Sequence, residues 1–157
     1  MEHLTAFLTR MPKVELHVHL ESTMPGEMLA RFAARQGREL PRPAERLYDC
    51  SAEDLSDFLA FLDNISFVGT PEELAEAAEH AALESGREHI LYSEMILNPT
   101  HWPQFSVPEI IAAVTAGFDR AAVQGGADCR FTLSLSRTQT GAEAMALVED
   151  MKAHRTH

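Results

Sequence analysis

The sequence predicts an α/β fold built on a parallel sheet, and three observations predict it. Residues 12–23 read PKVELHVHLEST, in which Val14, Leu16, Val18 and Leu20 alternate with Glu15, His17, His19 and Glu21. That is the two-residue period of a β-strand, with i and i+2 on one face. Two further apolar runs, HILYSEMILNP and CRFTLSLS, have strand composition. Each of the three is followed by an amphipathic helical pattern, and strands alternating with helices specify βα units.

The elements follow in order. The opening MEHLTAFLTRMPK is amphipathic but lacks a charged region followed by a small-residue cleavage site. After the first strand, Pro25 opens a helix to about Gln36, with Met28, Leu29, Phe32 and Ala33 on one stripe and Gly37 as its stop. RELPRPAERLYDC reads as loop. In EDLSDFLAFLDNISFVG, Leu55, Phe58, Leu59 and Leu62 fall at helical spacing. Thr70 is the expected N-cap of the next helix, with Pro71 in the first position, Glu73 completing a capping box, and Gly86 ending it. The second strand stops at Asn98-Pro99, and THWPQF loops to a helix near 107–124 capped by Ser106 and closed by Gly125-Gly126. The third strand leads to a helix from about Gly141.

Composition excludes several function classes. A formal charge of −11 with no basic cluster argues against binding nucleic acid through its phosphates. No apolar run approaches the ~20 residues of a membrane span. Cys50 and Cys129 are far apart and have no metal-like neighbours, so they read as reduced, structural cysteines of a cytoplasmic protein.

The first strand carries the chemistry. Two imidazoles roughly 7 Å apart along a strand, at ~3.3 Å rise per residue, can converge on one ion. Neutral imidazole suits zinc and its first-row neighbours. The competing reading is a solvated strand face that happens to carry two histidines. A catalytic zinc keeps three protein ligands and an open position, so others must come from elsewhere in the fold. Glu15, expected on the histidine face, is placed to orient a ligating ring.

PKVELHVHLE, with a helix after it and DFLAFLD further on, resembles the opening of the adenosine deaminase family, metal-dependent purine aminohydrolases on a (β/α)8 barrel. The likeness continues through LYSEMILNP and RFTLSLSRTQ and covers essentially the whole chain. It implies a parallel TIM-type barrel of which this chain holds the first three βα units, an incomplete barrel. Residues 1–157 would then be the N-terminal part of one domain whose C-terminal half is absent. Carried over, the resemblance makes His17 and His19 zinc ligands and puts Glu21 where the family has a carboxylate that contacts the purine. Leu55, Phe58, Leu59 and Leu62 match an apolar helix face that covers the substrate; plain core packing is the alternative. The family's general acid, in His-Ala-Gly-Glu, and its Asp-Asp pair have no counterpart here. Two departures stand out: Ser22 replaces the usual Gly after the carboxylate, and Glu94-Met95-Ile96 replaces Glu-x-Arg.

The expectation is thus part of a zinc-dependent deaminase acting on adenosine, adenine or a related aminopurine, inactive alone, with its open edges prone to self-association. Other amidohydrolases opening with His-x-His, and a non-catalytic half-barrel module, are the alternatives. Glu94 and Arg137 are expected in structural ion pairs. His101 and Trp102 are expected either at the site mouth or on a surface loop. His3, His80, His89, His154 and His157 belong to no constellation.

Overall fold

Lys13–His19 (β1), Ile90–Leu97 (β2) and Asp128–Leu133 (β3) pair in parallel, in the order β1–β2–β3, in the computed structural model, which describes residues 2–49 and 67–154. The helices are Glu2–Arg10 (α1), Gly26–Arg35 (α2), Pro71–Arg87 (α3), Val107–Ala122 (α4) and Gly141–Ala153 (α5). Leu55, Phe58, Leu59, Leu62 and Cys50 lie outside the described residues, and so does the body of the helix expected there.

The helix signals act as read. Pro25 precedes α2, whose stripe of Met28, Leu29, Phe32 and Ala33 is buried, and Gly37 turns away at φ +65°. Thr70 accepts the Glu73 N–H at 3.2 Å, and Ser106 and Glu109 form the capping box of α4. Thr140 and Glu143 form another at α5.

Two helix expectations change. Glu73 does not complete its box on Thr70; its carboxylate accepts from Gly69 N–H at 2.8 Å and from Arg35 at 3.0 Å. It thereby ties α3 to α2. Gly86 does not end α3, which continues to Arg87, and the left-handed turn falls on His89 at φ +56°. Gly86 is needed for space: a Cβ there would sit 2.6 Å from the Gly125 carbonyl oxygen.

Helices α3 and α4 pack closely through small residues. A Cβ on Gly117 would strike the Ala75 carbonyl and come within 2.8 Å of Ala78 Cβ. Their apolar faces join Leu20, Met24, Phe32, Leu74, Met95, Leu97, Trp102 and Ile110 in one core. Burying each large aliphatic or aromatic side chain there contributes roughly 1.5–3 kcal/mol. The sheet therefore has a helix-covered face, lined by Ser93, Met95, Leu97 and Cys129, and an open face.

The aliphatic face expected along β1 is covered only at its end. Leu20 is buried and Val18 partly so, but Val14 is 61% and Leu16 59% exposed: both lie before or within the register shift between Glu15 and Val18, where Val14 pairs with Tyr92 of the open face.

Candidate active site

The turns after β1 and β2 meet at one carboxylate. Chain leaving β1 enters a 3-10 turn, Leu20–Ser22, whose Leu20 and Glu21 are buried. Ser22 takes no positive φ; its hydroxyl donates to the His19 carbonyl at 2.7 Å, closing the turn without the family's glycine. After β2, Pro99–His101 forms a second 3-10 turn, with Asn98 Oδ1 accepting from Thr100 N–H at 3.0 Å and Thr100 Oγ1 at 2.8 Å. Trp102, fully buried, anchors it in the core.

Glu21 is 2% exposed. Its Oε1 meets His101 Nδ1 at 2.7 Å and accepts the Asn98 N–H at 3.4 Å. Its Oε2 is buried with no hydrogen-bond partner among the described residues. An unpaired buried acceptor typically costs about 1–3 kcal/mol.

The two strand histidines stand together. The His17 and His19 rings lie edge to face with centroids 5.4 Å apart, and both residues are exposed. Glu15 does not share their row. The β1–β2 register shifts between Glu15 and Val18, so Glu15 pairs with Ser93 while His19 pairs with Ile96. Ser93 in turn pairs with Cys129, on the helix-covered side. The Cys129 thiol is pushed up to about 11, chiefly by burial, with the charges of Asp128 and Glu15 adding to it. A bulge thus removes Glu15 as a partner of the histidines.

The donor set fits a zinc ion in part. Two adjacent exposed imidazoles supply the right chemistry. Among the described residues, however, no group of three or more His, Cys, Asp or Glu side chains gathers to hold a metal. Any further ligands lie outside that set.

Other expectations are revised. Glu94 is half-buried and accepts from the Tyr92 hydroxyl at 2.9 Å, with no cation paired to it among the described residues. This hydrogen bond is the largest cause of a raised Tyr92 pKa. Arg137 is exposed and makes no ion pair among the described residues. His101, expected either at the site mouth or on a surface loop, is partly buried and meets Glu21. It stands just past the end of β2, beside Asn98-Pro99. No helix among the described residues is long and apolar enough to cross a membrane.

A family model described as adenosine deaminase matches residues 12–157. The chain belongs to the adenosine deaminase family. Within the family it is similar to the adenine deaminase of Rhodospirillum rubrum, 29% identical over 157 residues, covering 96% of this chain and 46% of that protein. It is also similar to the adenine deaminase of Trichlorobacter lovleyi, 28% identical, covering 94% of this chain and 44% of that one. Among solved structures it resembles an amidohydrolase from Burkhoderia ambifaria with bound Zn, at TM-score 0.85 and 27% identity, over 96% of this chain and 43% of that chain. The family's barrel accounts for the three parallel βα units, and the chain spans a little under half the length of the relatives it matches.

Proposed function

We propose that residues 1–157 form the N-terminal wall of a zinc-dependent deaminase site acting on adenine or a closely related aminopurine. The observation that carries this reading is the unpaired, buried Oε2 of Glu21, two residues beyond the exposed His17–His19 pair. His17 and His19 would hold the metal. Bound zinc would make water nucleophilic at neutral pH.

Glu21 binds and orients the purine through an N–H, and Leu55, Phe58, Leu59 and Leu62 would close an apolar cover over its ring. In the reaction a C–O bond forms at the purine carbon bearing the amino group, the C–N bond breaks, and ammonia leaves. A proton must reach the ring nitrogen, and the acid that delivers it would lie outside these residues, as would the remaining ligands. Alone, the chain is expected to release no ammonia and to associate through the free edges of β1 and β3. A cytoplasmic location suits the small-molecule substrate.

Glu21 also bears on the choice among purines. It is one methylene longer than the Asp typical of adenosine-specific members, which leaves less room for a ribose. The test is ammonia release from adenine and adenosine by the zinc-loaded intact protein and its Glu21→Asp variant. Adenine is expected to be preferred, and the variant to shift kcat/KM toward adenosine by about tenfold or more. An unchanged ratio would remove Glu21 as selector, and no purine turnover at all would end the deaminase reading.

A further inference from the structure

Glu21 and His101 come from turns 80 residues apart, and their contact decides which carboxylate oxygen remains for a ligand. The contact is built rather than incidental. His101 sits between Thr100, tied to Asn98, and Trp102, whose indole is fully buried and lies edge to face with the imidazole at 6.2 Å. Glu21 sits in a turn closed by the Ser22 hydroxyl. Both side chains thus project from turns whose backbones are held by local hydrogen bonds. With His101 Nδ1 and the Asn98 N–H both on Oε1, the carboxylate is oriented so that Oε2 is the unpaired atom.

We infer that His101 is a positioning and specificity-determining residue, holding Glu21 so that Oε2 accepts the five-membered-ring N–H of a free purine base. This rests on the deaminase reading for the identity of the ligand. A carboxylate oxygen already bonded through its partner oxygen to two nitrogens is read as an acceptor, so the group against Oε2 is a donor. A free 6-aminopurine has two kinds: its exocyclic amino group and its ring N–H. The amino group leaves in the reaction and belongs with the His17–His19 end of the site. The ring N–H is what remains for Glu21. A sugar on N9 abolishes that donor and puts a glycosidic carbon in its place. Buried polar groups left unpaired by an analogue discriminate far more strongly than a lost apolar contact. The Glu21–His101 pair would therefore read whether the purine is free.

The inference can be tested on the ligand and the protein together. Adenine and 9-methyladenine, which lacks the N9 proton, are titrated into the intact zinc-loaded protein and into its His101→Leu and His101→Gln variants. The parent is expected to prefer adenine by about tenfold or more. His101→Leu should bring the ratio below about threefold, and His101→Gln, whose amide can still donate to Glu21, should restore most of it. Zinc content should be the same in all three. A parent ratio near one overturns the inference, as does a ratio unmoved by His101→Leu. Should His101→Leu fail to fold, His101→Ala takes its place, and a ratio that it leaves unmoved overturns the inference. Ammonia release separates this result from the underlying reading. The expected binding pattern without ammonia supports the inference and overturns the deaminase reading. Ammonia with no discrimination overturns the inference alone, and no adenine binding overturns both.

Discussion

The two faces of the sheet differ in what they need from the rest of the fold. On the covered face, Ser93, Met95, Leu97 and Cys129 are buried under α3 and α4. On the open face, His17 and His19 are exposed and Tyr92, Glu94 and Ile96 are half-buried. The first face holds the structure together. The second carries polar groups: His17 and His19 side by side, and Tyr92 bonded to Glu94. A barrel separates these duties by geometry, since outward residues meet helices and inward residues meet the site.

Substitutions can break that contrast. The largest effect is expected on the open face: His17→Ala or His19→Ala in the intact protein should remove bound zinc and lower turnover by about three orders of magnitude, with little change in the stability of the metal-free protein. Metal analysis checks it, and full zinc occupancy in both variants would rule the pair out as ligands.

Stability should respond in the opposite way. Leu97→Ala should cost about 2–5 kcal/mol, whereas Thr132→Ala, exposed on the open side, should stay within about 0.5 kcal/mol. Urea midpoints compare the two directly; equal shifts would erase the distinction between the faces.

Smaller effects sharpen the covered side. Gly117→Ala pushes a methyl group into the Ala75 carbonyl and should cost about 1–3 kcal/mol, by forcing α3 and α4 apart. Wild-type stability there would mean that the two helices separate without penalty. Thr70→Ala removes the hydroxyl that caps α3 and should cost about 1 kcal/mol. No measurable change in the urea midpoint would show that Gly69 and Arg35, acting through Glu73, already hold that helix end.

Much of the fold was legible because its signals are short-range. Alternation identified β1, the apolar runs located β2 and β3, and Pro25, Thr70, Ser106 and Gly37 marked helix ends through contacts within four residues. The misreadings have one origin. Gly86 looks like a stop by composition, but its role is set by the Gly125 backbone across the fold. Glu73 looks like half of a capping box, yet it is drawn to Gly69 and to Arg35 on another helix.

The sequence by itself determined the order of elements, the parallel βα architecture and the pairing of His17 with His19, because each depends on residues a few positions apart. Tertiary structure decided the rest of the site. The register shift that turns Glu15 away from the histidines exists only once β1 lies against β2. The contact between Glu21 and His101 joins residues 80 positions apart, and no local pattern marks either as the other's partner. Strand pairing brings the two turns to the same end of the sheet, and burial of Trp102 then fixes the imidazole beside the carboxylate. Local chemistry wrote the strands and caps; the packing of one strand end against another decided which carboxylate oxygen of Glu21 is left unpaired.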